Sequence, residues 1–115
     1  MPEEPTGTTR NEVVRNDLEH RYEIWHGSRL AGFSAYREHG TRTIFTHTEI
    51  GEEFGGQGLG GVLAKHAVED VVERGRAIVP ICPFIAAWLR KHPGYEEHVS
   101  WPASEQEHED AAGGA

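Results

Sequence analysis

Between a β-branched run at residues 43–50 and a long amphipathic segment lies Phe54-Gly55-Gly56-Gln57-Gly58-Leu59-Gly60-Gly61, in which five of eight residues are glycine. Glycine adopts positive φ without steric cost and lets backbone N–H groups come close to a ligand. Placed where a strand gives way to a helix, it joins unpaired helix-terminal donors and a partial positive charge, which together suit an anion such as phosphate. The spacing is not the dinucleotide fingerprint G-x-G-x-x-G, because no βαβ unit precedes it. Nor is it a Walker A loop, because no Lys-Ser or Lys-Thr closes it.

The 115 residues fit one domain with a modest core. No apolar stretch is long enough to span a bilayer, no signal-peptide pattern opens the chain, and the single cysteine, Cys82, excludes a disulfide framework. The expected setting is cytoplasmic, with no membrane partner. The formal charge of −8 is unevenly placed. Glu3, Glu4, Glu96, Glu97, Glu105, Glu107, Glu109 and Asp110 lie near the ends, leaving eleven acids against ten bases in residues 11–95. A nearly neutral centre gives no basic face for nucleic acid. Residues 1–11 and 103–115 read as disordered tails around a domain at 12–102, because they carry almost nothing to bury.

Within that domain, Val13-Val14 and residues 20–25 read as strands, the second with Tyr22 and Ile24 on one face. A turn at Gly27 leads to residues 30–38, where Leu30, Gly32, Ser34 and Tyr36 alternate against Ala31, Phe33 and Ala35. Gly40-Thr41 turns the chain into a further strand at 42–50, completing an antiparallel meander. A helix over 58–74 places Gly60, Leu63, Ala64, Ala67, Val68, Val71 and Val72 on one face and Lys65, His66, Glu69, Asp70 and Glu73 on the other. Gly75 ends it as a C′ residue. Residues 76–81 read as a short buried parallel strand. Cys82 is the N-cap and Pro83 the first residue of a second helix, which stops before Pro93-Gly94. The class is α+β. Trp25, Phe33, Tyr36, Phe84 and Trp88 read as core aromatics, Trp88 also standing where it could border a bound ligand.

This order of elements resembles the GCN5-related N-acetyltransferase fold in a truncated, single-domain form. The segments that carry the resemblance are His47-Thr48-Glu49-Ile50, Gly56-Gln57-Gly58-Leu59-Gly60, Pro80-Ile81-Cys82-Pro83-Phe84 and His92-Pro93-Gly94-Tyr95. It covers about residues 12–98. The family's loop pattern, R/Q-x-x-G-x-G/A, aligns with Gly55, Gly58 and Gly60, so glycine replaces the usual first residue. The resemblance implies that N–H groups of Gly56, Gln57, Gly58, Leu59 and Gly60 bind the pyrophosphate of acetyl-CoA. The strand edge at Glu49 and Ile50 would hydrogen-bond the pantetheine arm as an added strand. The tyrosine that many relatives use to protonate the leaving thiolate falls here on Leu89 or Arg90. The helices that often shape the acceptor pocket are absent, which implies a shallow acceptor site or one completed by a second subunit, in a monomer or homodimer.

Aminolysis of a thioester needs a deprotonated amine and a proton for the departing sulfur, and a base titrating near the working pH serves best. His47 and Glu49, two apart on a strand, share a face and are candidates for that role. Cys82, at a helix N-terminus, stands where the dipole favours thiolate. It could carry the acetyl group transiently or act as the missing acid. Its structural alternative is a small buried hydrophobe. None of the eight histidines falls in H-E-x-x-H or a compact Cys/His ligand pattern, so no metal is expected. The leading expectation is acetyl transfer from acetyl-CoA to a primary amine, on a small molecule or a peptide. A CoA or acyl-CoA binding module without turnover is the alternative, and an interaction domain that does not bind CoA a third.

Overall fold

The computed structural model describes residues 11–102. Five strands form one sheet in the order β1-β2-β3-β4-β5: β1 (Asn11–Asn16), β2 (Arg21–His26), β3 (Arg29–His39), β4 (Arg42–Ile50) and β5 (Ala77–Pro80). The first four run antiparallel and β5 lies parallel to β4. Asn11 already pairs with His26, so β1 begins one residue inside the expected tail. The rest of both expected tails lies outside the described residues. A 3-10 turn (Glu52–Phe54) links β4 to helix α1 (Leu59–Glu73). After β5 come α2 (Pro83–Lys91) and a second 3-10 turn (Pro93–His98).

Each boundary has a local cause. Gly27 and Gly40 carry φ of 64° and 60° in the two-residue turns joining β2 to β3 and β3 to β4, as tight hairpins require. Helix α1 ends with Gly75 at φ 74°, where Gly75 N–H reaches Val72 O at 2.9 Å and Arg76 N–H reaches Val71 O at 3.1 Å. This double bond is the Schellman arrangement, which satisfies carbonyls that the helix end would orphan.

Both helices cover the same face of the sheet, so the described residues form two layers and leave one sheet face bare of helices. The core between the layers gathers Tyr22, Ile24, Tyr36 and Phe45 from the strands, Leu63, Ala67, Val68 and Val71 from α1, and Ile85 and Leu89 from α2. A Cβ on Gly60 would stand 2.6 Å from Phe84 Cζ, so the missing side chain lets α2 close on the start of α1. Three expected core aromatics are elsewhere. Trp25 and Phe33 lie half-buried on the bare face, and Phe84 is 40% exposed. Among the described residues, the buried Tyr and Phe rings are Tyr22, Tyr36, Phe45 and Phe54.

Two β-bulges decide which side chains face the helices. The pairing shifts between Ala35 and Tyr36, opposite His47 and Phe45, leaving Thr46 as the extra residue on β4. A bulge reverses the alternation beyond it. Thr43 and Phe45 therefore point into the core, and so do Thr48 and Ile50, while His47 and Glu49 point outward. A second shift, between Ile24 and Trp25, leaves Ala31 as the extra residue on β3. Ala31 is consequently buried and Leu30 exposed, the reverse of strict alternation.

Candidate active site

The site begins where β4 loses its partner. Pairing with β5 runs from Arg42 opposite Ala77 to Phe45 opposite Pro80 and stops there. Ile81 and Cys82 then donate their N–H groups to Phe45 O at 3.0 and 2.9 Å, and the chain turns into α2. Beyond Phe45, β4 runs to Ile50 with no neighbouring strand on that side among the described residues. Gly51 N–H donates to Ala31 O at 2.8 Å, toward β3. Alternation along the strand turns the peptide groups of Glu49 toward β3 and those of Thr48 and Ile50 toward the open edge. An extended ligand could add to that edge as a strand does.

The same strand runs directly into the glycine segment. Phe54 is buried and anchors the 3-10 turn, with His26 edge-on at 5.6 Å and Arg29, ion-paired to Glu53, over its ring at 5.1 Å. Gly55 N–H is spent on Glu52 O at 3.1 Å. Gly55 is thus excluded as a backbone donor, and the run of free donors starts at Gly56. Gly56 and Gly58 have φ of 81° and 75°, a region that side chains disfavour, and Gly58 is the N-cap of α1. The first helical bond runs from Val62 N–H to Gly58 O at 3.3 Å. The N–H groups of Leu59, Gly60 and Gly61 stand ahead of it without intrahelical acceptors. The first turn carries no acidic side chain to occupy that positive end. Gln57, Gly58, Leu59 and Gly60 are all in the segment the sequence singled out.

The three candidate catalytic side chains fall on two faces. His47 Nε2 and Glu49 Oε2 are 2.8 Å apart on the bare face, with the two side chains 58% and 62% exposed. A carboxylate only accepts, so Nε2 is the donor in this bond and Nδ1 is the ring's other nitrogen. Phe33 lies 6.0 Å from the His47 ring, and Arg21 covers Phe33 at 4.8 Å. Cys82 is on the helix face, buried at the N-cap of α2. Its Sγ lies 3.1 Å from Thr48 Oγ1, which lies 2.9 Å from the buried Ser34 Oγ. β4 therefore stands between Cys82 and the His47–Glu49 pair. Leu89 is buried, so the last helix offers no acid at that position.

Sequence reasoning missed Glu23, 5% exposed although it lies on the bare face. It accepts from Arg21 Nε at 2.8 Å, Asn16 Nδ2 at 2.9 Å and Trp25 Nε1 at 3.0 Å. Burial pushes its pKa up, but these donors outweigh burial and hold it below the usual carboxylate range. The clue was available: Arg21, Glu23 and Trp25 alternate on one strand face. Also missed was a cluster at the far end of the sheet, where Arg15 bonds Tyr22, Asp17 and Glu38, and Tyr22 donates to Asp70 at 2.6 Å.

Among the described residues, no three His, Cys, Asp or Glu side chains converge as a metal site, and no helix is long and apolar enough to cross a membrane. None of the curated proteins matches this sequence. Among solved structures, a GCN5-like protein of Staphylococcus aureus determined by solution NMR is 26% identical, covering 79% of this chain and 89% of its own, with a TM-score of 0.62. The fold it shares is the truncated one expected from the order of elements. The family model for GCN5-related N-acetyl-transferases matches residues 21–99, from the start of β2 to the bridge beside β5, and the chain belongs to that family.

Proposed function

We propose that this protein transfers an acetyl group from acetyl-CoA to a primary amine. The observation that carries the reading is the continuity of an unpartnered β4 edge with a glycine-lined helix start. The edge suits an amide-bearing arm, and the loop suits a pyrophosphate at the end of such an arm. Thr48 and Ile50 offer peptide groups to the pantetheine, and Gly56, Gln57, Gly58, Leu59 and Gly60 offer N–H groups to the phosphates.

In this reading the His47–Glu49 pair takes the proton from the attacking amine, Glu49 holding the ring and stabilising the imidazolium that results. The amine nitrogen bonds to the acetyl carbon, the carbon–sulfur bond breaks, and the sulfur leaves with the electron pair. Cys82, on the other side of β4, supplies the proton that the departing sulfur needs, with Thr48 orienting its thiol. The open sheet face leaves room for an amine on a large molecule as well as a small one. A binding module without turnover is the second reading, favoured by the separation of Cys82 from the His47–Glu49 pair. Acetylation of an amine panel by the purified protein separates the two. Product formation that His47→Gln lowers by about 10²-fold or more supports general-base chemistry. Tight CoA binding with no acetylation of any amine would favour the module.

A further inference from the structure

A hollow of about 180 Å³ lies on the bare face of the sheet, lined by Leu30, Ala31, Gly32, Phe33, Glu49 and Gly51. Its origin is the bulge that leaves Ala31 as the extra residue on β3. In a regular strand, side chains on one face are two residues apart. Here Leu30 and Phe33 share the bare face three residues apart, and the two between them fill none of the gap. Ala31 is buried, and Gly32 has no side chain. On β4, Glu49 stands opposite Phe33, and Gly51 follows without a side chain. The floor is therefore backbone, and the walls are a leucine, a phenyl ring and a carboxylate.

The cations that flank these walls are paired. Arg21, over the Phe33 ring, holds Glu23 at 2.8 Å, and Arg29 holds Glu53. Glu49 is the charged residue of the lining. Its Oε2 accepts from His47 Nε2 at 2.8 Å, and its Oε1 has no hydrogen-bond partner among the described residues. Hydrocarbon walls that end in an uncommitted carboxylate oxygen complement an ammonium group on an aliphatic stem, which covers its methylenes and keeps its charge at the rim. At about 30 Å³ for each group of water size, the hollow has room for about six, an ammonium nitrogen and about five carbons.

Resting on the acetyl-transfer reading above, we propose that this hollow is the acceptor subsite and takes an unbranched alkylammonium ion, either a free alkylamine or the side chain of a lysine. The stem lies between Leu30 and Phe33, over the backbone of Ala31 and Gly32. The nitrogen meets Glu49 Oε1, beside the His47–Glu49 pair that takes its proton. Amide NMR of the protein titrated with pentylammonium chloride tests the hollow without acetyl-CoA or turnover. Saturable shifts are expected at Ala31, Gly32, Phe33 and Gly51, with 1-pentanol, the same chain without the charge, binding about tenfold more weakly. Leu30→Ala is expected to weaken pentylammonium binding by about threefold or more, with melting temperature as the check that the variant folds. In turnover with acetyl-CoA, kcat/KM should rise about threefold per methylene from propylamine to pentylamine and level off at hexylamine. Nα-acetyl-lysine-N-methylamide separates the two sources. A kcat/KM at or above that of pentylamine assigns the side chain of a lysine, a lower one assigns a free amine, and either fits the hollow. Pentylammonium that shifts none of these amides, or binds no better than pentanol, would overturn the hollow. Acetylation of amines without regard to chain length would do so too, while leaving the transfer reading intact. Saturable binding at the hollow with no acetylation of any amine would overturn the transfer reading instead, and leave the hollow an amine-binding site.

Discussion

Two glycines in this chain do opposite things, and substituting each shows why. Gly32 on β3 faces Ile50 on β4, and a Cβ there would stand 2.4 Å from Glu49 O and 2.5 Å from Ile50 Cδ1. The first contact is backbone, so β4 itself must move. Gly32→Ala is expected to cost about 1–3 kcal/mol in urea denaturation and to weaken CoA binding, because the displaced segment is the proposed pantetheine edge. Gly61 is in the first turn of α1 with open space beside it. Gly61→Ala is expected to stabilise by about 0.5–1 kcal/mol through helix propensity alone. Equal losses for both variants would contradict this account of what each position does.

At the scale of elements, the bulge at Thr46 settles where the chemistry faces. Without a bulge, a strand of the same length would turn His47 and Glu49 to the same face as Phe45. Deleting Thr46 removes the bulge together with its extra residue, so Thr43, Phe45, Thr48 and Ile50 keep the helix face and His47 and Glu49 the bare face. Deletion of Thr46 is therefore expected to leave the domain folded, within about 2 kcal/mol of wild type in urea denaturation. A deletion variant that does not fold would refute the assignment of Thr46 as the extra residue. The strands, both helices, the Gly75 stop and the α2 N-cap were legible in the sequence, because each has a local signature in periodicity, glycine or proline. The bulge was not, since Thr46 is as good a strand residue as its neighbours. The misplaced aromatics Trp25 and Phe33 share one cause: hydrophobicity alone does not reveal that, among the described residues, one sheet face has no helix over it. Phe84 instead stands in the first turn of α2 against Gly60, with 40% of its surface exposed. The shared face of His47 and Glu49 was legible from their spacing, but their separation from Cys82 depended on β4 standing between them.

Across the whole molecule, carboxylates with donors around them tie strands β1, β2 and β3 to one another and to α1. Asp17 receives Tyr36 Oη at 2.7 Å and Arg15 Nε, and these bonds lower its pKa. Asp70 is opposed by burial, but Tyr22 and Arg74 outweigh it and lower its pKa too. The same buried setting and the same carboxylate partners raise Tyr22 and Tyr36, so both remain protonated at neutral pH. Glu23 behaves as Asp70 does on the bare face. A carboxyl whose folded pKa is depressed contributes stability above its unfolded pKa, about 4, and that stability is lost as pH falls through the lower folded value. Melting temperature should therefore hold between about pH 5 and 7 and fall steadily below about pH 4. Glu23→Gln is expected to lower stability at pH 7 by about 1–2 kcal/mol and to flatten the fall in acid, since one titrating contributor is gone. An unchanged acid limb in that variant would remove Glu23 from the explanation.

The central claim is that the open β4 edge and the glycine loop form a single acetyl-CoA site. Backbone amide NMR during titration with CoA reads it most directly, because every donor invoked is a peptide N–H. The expected result is saturable shifts concentrated at Thr48, Ile50, Gly56, Gln57, Gly58, Leu59 and Gly60, with Val13 and Asn16 on the distant edge strand unmoved. Saturable binding that shifts the loop amides and leaves Thr48 and Ile50 unmoved, or no shifts at millimolar CoA, would contradict it.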